Sequence, residues 1–270
     1  MDGFKRYLIL EEKSELTIEK YIRDVRKFLD WLGEEELDKS KVLDYKAELI
    51  EQYAVTSANS ILSSVNCYLT FIGRGDCRVK TIRQQRQMYL SEERELSRQE
   101  YERLVRVAKG NFRLQMLMQT ICCTGIRVSE HQFITVEAAR AGYAEVRLKG
   151  KCRVAFLPGK LCRALLKYAK DQKIKSGCIF LTAGGKPINR CAIWAEMKKL
   201  CDTAGVRREK VFPHNLRHLI ARIFYSIEKD IVRLADILGH SSINTTRIYT
   251  MESGYIHRRQ IEKMPLLLIT

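Results

Sequence analysis

The chain has 270 residues, 46% of them hydrophobic, so it can bury a sizeable core, has room for two domains and is not a disordered-protein composition. Four prolines and fifteen glycines exclude a collagen-like or linker-dominated sequence. The formal net charge of +16 predicts an anionic partner, with nucleic acid first and an acidic membrane surface second.

The basic excess lies entirely in the later part of the chain. Residues 1–75 hold eleven Lys or Arg against fourteen Asp or Glu, whereas residues 76–270 hold thirty-seven against eighteen. Because Lys and Arg side chains neutralise phosphate groups, we expect phosphate binding by residues 76–270 rather than by residues 1–75.

Nine cysteines suggest disulfides or a metal site, but their spacing does not support either. There is no Cys-x-x-Cys, the nearest pair is the adjacent Cys122 and Cys123, and no His/Cys cluster has zinc-ligand spacing. The odd count, the helical pattern and the lack of a signal peptide favour reduced thiols in a cytoplasmic protein. No metal, other cofactor or membrane span is expected.

Residues 1–75 are predicted to form an all-helical domain of about four helices. Tyr21, Val25 and Phe28 recur at three- and four-residue intervals, and Gly33 ends that run. Further helices are expected over residues 42–53 and 57–71.

Residues 76–93 are predicted to be a basic linker, because Gly73 and Gly75 break the helical pattern and several arginines follow. Such a segment either follows a phosphate backbone or is a solvated connector, and its composition does not choose between the two.

Residues 94–270 are predicted to form a second, mixed α+β domain, which makes the whole chain mainly α with one small β-hairpin. Ser97 followed by Glu100 is a capping-box signature. Alternating residues predict strands over 144–148 and 154–156, with the intervening segment 149–153 as a basic tip. Helices are expected over residues 161–169, 192–201, 216–227 and 231–238.

Several residues of this domain could carry chemistry, and each has a plainer interpretation. His214 and Arg217 lie three apart near a predicted helix N-terminus, which favours an anion; the alternative is a surface helix with scattered charge. His240 follows Gly239, where a histidine often only caps a helix. Tyr249 lies nine residues later and by itself is more often a core aromatic.

The same ambiguity applies upstream. Arg127 follows Gly125 at a loop-to-helix transition, and Glu130 lies one turn later, so a local ion pair is the plainer interpretation. Lys149 and Lys151 lie at a hairpin tip, where lysines are usually solvated.

In this order, however, the motifs closely resemble those of the tyrosine recombinase (phage integrase) family over essentially the whole chain. They are Thr-Gly-Ile-Arg-Val-Ser-Glu at 124–130, a basic hairpin, His-Asn-Leu-Arg-His at 214–218, and Leu-Gly-His with a tyrosine nine residues on. The resemblance implies a core-binding (SAM-like) DNA-binding domain over 1–75, a catalytic domain over 94–270 and a C-terminal tail over 251–270. No additional arm-binding domain is expected, so the chain resembles the simple Xer-type members.

The resemblance implies a site-specific DNA recombinase that breaks and rejoins strands through a covalent 3′-phosphotyrosine and a Holliday junction, without metal or ATP. Arg127 and Arg217 would hold the nonbridging phosphate oxygens, and His240 would add a further donor. Tyr249 would be the nucleophile, and His214 the general base or proton shuttle.

Lys149 is the implied general acid for the leaving 5′-oxygen. Lys151 is the fallback, because the turn is shorter than a common form of the motif. Glu130 and His218 are expected to orient their neighbours. His131 departs from the apolar residue usual in the family and is expected to be a satisfied, half-buried histidine.

The implied partners are double-stranded DNA carrying specific recombination sites and three further copies of the chain, with the tail over 251–270 packing into a neighbouring protomer. The setting would be bacterial, cytoplasmic and nucleoid-associated, or a mobile element. Integration, excision, inversion and resolution share this chemistry. Two alternatives are a type IB topoisomerase, which the compact N-terminal module and the tail disfavour, and a catalytically silent DNA-binding regulator, which the complete residue set disfavours.

Overall fold

The computed structural model describes residues 1–83, 94–148, 151–240 and 242–249. The chain divides into two compact units, Met1–Arg86 and Gln87–Thr270. The expectation of a mainly helical chain with one small antiparallel sheet is confirmed. In these described ranges, every helix is too short or too polar to cross a membrane.

The first unit is a helical bundle. Its helices are α1 Asp2–Leu10, α2 Glu15–Leu32, α3 Lys39–Gln52 and α4 Val55–Phe71. As predicted, α2 ends at Gly33, which has φ 61° and continues the chain in a conformation that favours glycine. Phe28, Leu62 and Val65 are fully buried in the core of this bundle.

The segment after α4 packs on the same bundle as far as it is described. Asn66 holds Val79 through its side-chain amide, donating to the carbonyl at 2.8 Å and accepting from the N–H at 3.0 Å. Asn59 holds Ile82 in the same way, at 2.9 and 2.7 Å. The described beginning of the predicted linker therefore runs along the first unit, and residues 84–93 lie outside the description.

The second unit contains the remaining elements. They are α5 Arg98–Val107, α6 Phe112–Thr124, α7 Val136–Ala141, β1 Tyr143–Leu148, β2 Lys151–Phe156, α8 Gly159–Asp171, α9 Arg190–Lys198, α10 Cys201–Ala204, α11 Pro213–Glu228, α12 Ile231–Leu238 and α13 Ile243–Arg247. The helix predicted over 192–201 is thus two helices, α9 and α10.

Local sequence signals set most of the boundaries in this unit. Ser97 accepts a hydrogen bond from the Glu100 N–H, and the Glu100 carboxylate accepts one from the Ser97 N–H, so the predicted capping box is present. Asn189 caps α9 by accepting from the Ala192 N–H at 2.8 Å. Gly239 ends α12 in a left-handed conformation.

The hairpin is tighter than predicted. Leu148 pairs with Lys151, so only two residues separate the strands, and both lie outside the description. The prediction that Cys152 and Arg153 belong to a basic tip is wrong, because both are in β2, paired with Arg147 and Val146. The Arg153 side chain has an ionic partner inside the unit, which a position in a solvated tip would not provide.

The packing of four helices assembles the site. The long helix α11 packs against α6 and α12, and α12 packs against α13. This arrangement brings the first turns of α11 to the C-terminal ends of α6 and α12. β1 lies beside the 3₁₀ turn Val128–Phe133 that follows α6.

Candidate active site

Arg217 is the most buried charge of the site, with only 1% of its surface exposed. It lies near the start of α11, and its guanidinium donates to the carbonyls of Gly125 and Leu238, the second at 2.5 Å. These carbonyls end α6 and α12, where the last carbonyls lack intrahelical partners and the helix dipole favours a cation. Burial, and then the nearby Arg127, lower the pKa of Arg217 to about 10, so it stays charged at neutral pH.

Two glycines allow this close approach. Gly125 has φ 65°, and a Cβ there would lie 2.8 Å from the Leu238 side chain. Gly239 has φ 64°, and a Cβ there would overlap the side chain of Arg153. Both positions therefore combine a left-handed backbone with a neighbour that leaves no room for a side chain.

Replacing Gly239 with alanine is expected to destabilise the second unit by about 2–4 kcal/mol, because left-handed alanine and overpacking each cost about 1–2 kcal/mol. Gly142→Ala is the matched control, since Gly142 has φ 82° but nothing within 4 Å of its Cβ position. Urea unfolding of both variants measures the difference. Equal losses of unfolding free energy in the two variants would show that the Arg153 side chain moves aside without an energetic penalty.

Arg127 and Glu130 form the local pair that the sequence left open. The Arg127 guanidinium donates to Glu130 Oε1 at 2.9 Å, and its backbone N–H donates to Oε2 at 2.8 Å. Glu130 is buried, which disfavours its charged form, but the bonds from Arg127 and Arg153 outweigh burial and hold its pKa below the ordinary value. Because the Arg127 side chain is 42% exposed, it remains accessible to a ligand.

Arg153 is a site residue that the sequence analysis did not single out. Its guanidinium donates to Glu130 Oε2 at 2.6 Å and to the Ile237 carbonyl at 3.0 Å. The signal was present in the strand register: Arg153 pairs with Val146, which is buried, so both side chains lie on the inward face. A charge on the inward face of a strand indicates a buried partner.

His240 uses both ring nitrogens. Nε2 lies 2.9 Å from the Arg217 guanidinium, and Nδ1 lies 2.9 Å from Thr246 Oγ1. Since a guanidinium only donates, Nε2 accepts and the proton is on Nδ1. Burial, and then the charges of Arg217, Arg127 and Arg153, lower the pKa of His240 to about 4, so the ring is neutral at pH 7.

Tyr249 is 3% exposed and packs among histidines. Its ring stacks on His240 at 5.8 Å between centroids and meets His218 edge-on at 4.8 Å. His218 in turn meets His214 edge-on at 4.6 Å. The apolar side of the Tyr249 ring contacts a small cluster made of Ala221, Leu234 and Leu238.

His214 lies at the exposed end of this row of rings. Partial desolvation, and then the neighbouring His218, Arg217 and Arg127, lower the pKa of His214 to about 4. A neutral imidazole can accept a proton. The three neighbouring rings of Tyr249, His218 and His214 therefore connect the tyrosine to His214, a base that faces solvent.

Glu95 is the second site residue that the sequence analysis missed. Its Oε1 lies 3.2 Å from His218 Nδ1, and its Oε2 lies 3.3 Å from the Arg222 guanidinium. Burial opposes the charge of Glu95, but His218 and Arg222 outweigh it and lower its pKa. No sequence pattern marks this residue, because its partners lie more than 120 positions away.

Stability is expected to fall between pH 6.5 and about 4. His214 and His240 have folded pKa values of about 4, below the unfolded value of about 6.5. The unfolded state therefore binds protons first, so stability is full above about pH 6.5 and is lost as the pH falls. Urea midpoints at pH 7 and 5 measure this, and His240→Gln should weaken the dependence. Identical midpoints at pH 7 and pH 5 would contradict the conclusion that the His214 and His240 rings are neutral in the folded protein.

The remaining residues considered from the sequence either lie away from the site or belong to segments that the structure does not describe. Lys149 is not described, and Lys151 is described only as the first residue of β2. His131 is more buried than expected, at 5% exposure, and its ring lies 6.3 Å from that of Phe180 in the core. Over the described ranges, no group of three His, Cys, Asp or Glu side chains could hold a metal ion.

The structure thus brings five predicted residues together around one basic centre. Their charges suit an anion that accepts several hydrogen bonds, because guanidinium groups donate two parallel bonds and stay charged. A phosphodiester is such an anion, and a phenol beside it is a potential nucleophile. The five are Arg127, His214, Arg217, His240 and Tyr249.

Comparison with known proteins identifies the family of the chain and agrees with its fold. Residues 94–254 match the phage integrase family, and residues 1–74 match the phage integrase N-terminal SAM-like domain. The chain therefore belongs to the phage integrase family, whose tyrosine recombinases break and rejoin DNA strands.

Particular relatives resemble it along most of its length. The chain is 27% identical to the tyrosine recombinase XerA of Thermococcus kodakarensis over 99% of this chain and 95% of the relative. XerH recombinase bound to its difH substrate, in a pre-cleavage complex, matches with TM-score 0.71 at 19% identity over 92% of this chain and 80% of that one. A lambda integrase tetramer bound to a Holliday junction matches with TM-score 0.70 at 16% identity over 92% and 75%. These two structures share the fold.

Proposed function

We propose that this protein is a site-specific recombinase that cleaves DNA through a 3′-phosphotyrosine on Tyr249 and exchanges strands through a Holliday junction, without metal or ATP. The observation that carries the proposal is the position of Tyr249: its ring packs on His218 and His240, and His240 bonds directly to the buried Arg217. The proposed division of labour follows the predicted domains, with 1–75 as core-binding domain, 76–93 as linker and 94–270 as catalytic domain.

The Tyr249 oxygen attacks the scissile phosphorus, and the bond from phosphorus to the 5′-oxygen breaks. Arg127 and Arg217 bind the nonbridging oxygens, where charge accumulates. Of the five N–H groups of Arg217, three are used by the described carbonyls and His240, which leaves donors for phosphate. His240 first orients Arg217 through Nε2. When the phosphate arrives, Nε2 releases the Arg217 N–H, takes a proton from solvent and donates it in a hydrogen bond to the phosphate.

Two proton transfers accompany this step. The phenol proton passes to His214, which is neutral at pH 7 because its pKa is about 4, with His218 lying between the two rings. Lys149 gives its proton to the leaving 5′-oxygen, and Lys151 is the alternative donor. Because the phosphotyrosine conserves the bond energy, a second 5′-hydroxyl can reverse the reaction and join new partners.

A suspended-cleavage duplex from the protein's own locus tests the proposal. The nick lets the cut strand diffuse away, so a covalent adduct should accumulate, resist detergent and survive a metal chelator. Mass spectrometry should find the phosphate on the peptide that contains Tyr249. No adduct, or phosphate on another residue, would overturn the assignment. Site-independent relaxation of plasmids without recombinant products would indicate the topoisomerase alternative instead.

We further propose that four protomers act on two duplexes carrying specific sites, in the nucleoid, with the tail over 251–270 docking on a neighbouring protomer. The tail lies outside the description. Support comes from large apolar side chains that stay exposed on α11, on α12, and on α13 and the residue after it, namely Ile227, Val232, Ile243 and Ile248. It comes also from the tetrameric state of the lambda integrase complex.

Deleting residues 256–270 is expected to leave binding to one half-site within about threefold while reducing synaptic complexes at least tenfold, because the docking surface loses its occupant. Native gels with one or two labelled duplexes measure both quantities. Unchanged synapsis would show that the tail packs within its own protomer.

A further inference from the structure

One face of α11 holds the segment that precedes α5. Asn215 and Arg222 lie two helical turns apart, so their side chains project from the same side of the helix. Asn215 Nδ2 donates to the Arg94 carbonyl at 2.7 Å, and the Arg222 guanidinium donates to the Leu96 carbonyl at 2.5 Å. The backbone on both sides of Glu95 is therefore fixed to α11.

His218 projects from the same face of α11, between these two donors, and meets Glu95. Its Nδ1 lies 3.2 Å from Glu95 Oε1. Burial raises the pKa of Glu95, but His218 and Arg222 outweigh burial and lower it below the ordinary value, so the carboxylate is ionised at neutral pH. An ionised carboxylate only accepts, so Nδ1 of His218 donates to it. Nε2 is thus the nitrogen of His218 that is left to act as a base.

Nε2 of His218 is unused in the resting protein. It is buried and, over the described ranges, has no hydrogen-bond partner. A buried polar atom without a partner costs stability, so its presence indicates a role that the resting protein does not show. The adjacent ring is that of Tyr249, which lies edge-on at 4.8 Å between centroids. Catalytic hydrogen bonds often tighten only when the substrate is bound.

Arg222 leaves part of the negative charge of Glu95 available to His218. The Arg222 guanidinium lies 3.3 Å from Glu95 Oε2 as an ion pair, but in the described part of the chain this oxygen accepts no hydrogen bond. The Arg222 side chain is 31% exposed, whereas that of Glu95 is 10% exposed. Because solvent screens the more exposed charge, the carboxylate can still stabilise a second positive charge on the His218 ring.

We propose that Glu95 is a positioning residue that makes His218 the first acceptor of the Tyr249 proton. As the phenol oxygen bonds to phosphorus, its O–H bond breaks and the proton moves to His218 Nε2. The Glu95 carboxylate stabilises the resulting imidazolium through Nδ1. His214, whose exposed ring lies 4.6 Å from that of His218, then accepts the proton. The inference rests on the proposed function and adds the residues that begin the proton transfer.

Glu95→Gln isolates this role, because glutamine keeps the length of the side chain and an oxygen that accepts from Nδ1 but removes the charge. We expect single-turnover cleavage of a suspended substrate to slow about 10- to 100-fold, a part of the roughly 10²- to 10⁴-fold that a general base contributes. Half-site binding should remain unchanged, and a thermal melt verifies folding. Glu100→Gln is the matched control, because Glu100 also lies near the start of this unit and bonds Lys210 at 2.9 Å. It should cleave at the unaltered rate.

A second nucleophile separates proton transfer from general damage. An ordinary tyrosine ionises at about pH 10, whereas a tyrosine with several ring fluorines ionises near neutral pH and needs no base. With such a residue incorporated in place of Tyr249, Glu95→Gln should cleave within about threefold of the protein that has the same fluorinated residue and retains Glu95, since no general-base contribution is left to lose. An equal defect with both nucleophiles, or no defect with the natural tyrosine, would overturn the inference.

His218→Gln gives the same comparison if Glu95→Gln alters the thermal melt. It should slow cleavage by the natural tyrosine at least as much, and the fluorinated residue should restore the rate. If the unaltered protein forms no adduct on Tyr249, the proposed function fails. If that adduct forms and the two variants cleave at the unaltered rate, only the inference about Glu95 and His218 fails.

Discussion

Tyr249→Phe is expected to abolish the covalent DNA adduct while leaving the fold and DNA binding intact. The side chain is 3% exposed, and its ring contacts to His240 and His218 do not require the phenolic oxygen. Within the described ranges, no hydrogen bond involves that oxygen. Phenylalanine thus keeps the packing and removes only the nucleophile, so the change in unfolding free energy should stay below about 1 kcal/mol.

The loss of cleavage should be at least about 10⁴-fold, as expected when a covalent nucleophile is removed. Detergent gels with a labelled suspended substrate measure the adduct. Tyr168→Phe is the control, since Tyr168 is also buried, at 4% exposure, but packs on Phe112 in another part of the unit. An adduct that persists in Tyr249→Phe would remove Tyr249 as the nucleophile.

Arg217→Lys is expected to slow cleavage about 10²- to 10³-fold, the usual cost of losing one donor to a developing charge. It retains the positive charge but not the planar set of donors that bonds Gly125, Leu238 and His240 together. At least one buried carbonyl loses its partner, which should also cost about 1–3 kcal/mol of stability.

Two measurements separate these effects. Urea unfolding gives the stability loss, and single-turnover cleavage at a temperature where the variant is fully folded gives the catalytic one. Arg113→Lys serves as control, because that arginine is only part-buried, at 25% exposure, and belongs to an ionic pair with Glu196. Cleavage at the unaltered rate by folded Arg217→Lys would show that Arg217 only supports the fold.

Helix boundaries in this protein follow from short-range chemistry, which is why they were predictable. The capping box at Ser97 and Glu100 and the cap at Asn189 involve residues three positions apart. The left-handed end at Gly239 needs only a residue without a Cβ. The family could also be predicted from the order of the motifs, since residue types and their spacing indicated which side chains to compare with those of a known family.

Long-range contacts explain what was missed. Arg153 acquires its role from Glu130 and Ile237, which lie 23 and 84 positions away. Glu95 acquires its role from His218, 123 positions away. The hairpin tip was predicted too long for the same reason: a basic run suggests solvent unless the partner that anchors Arg153 is known.

The sequence by itself determined the family, the helices and the residue types available for phosphoryl transfer, because these depend on local pattern and order. Only the tertiary structure decided the state of those residues. It buries Arg217, and it both buries His240 and places cations around it, which together lower the pKa of His240 to about 4. Solvent exclusion and the summed field of distant charges are properties of three-dimensional packing, and no spacing along the chain specifies them.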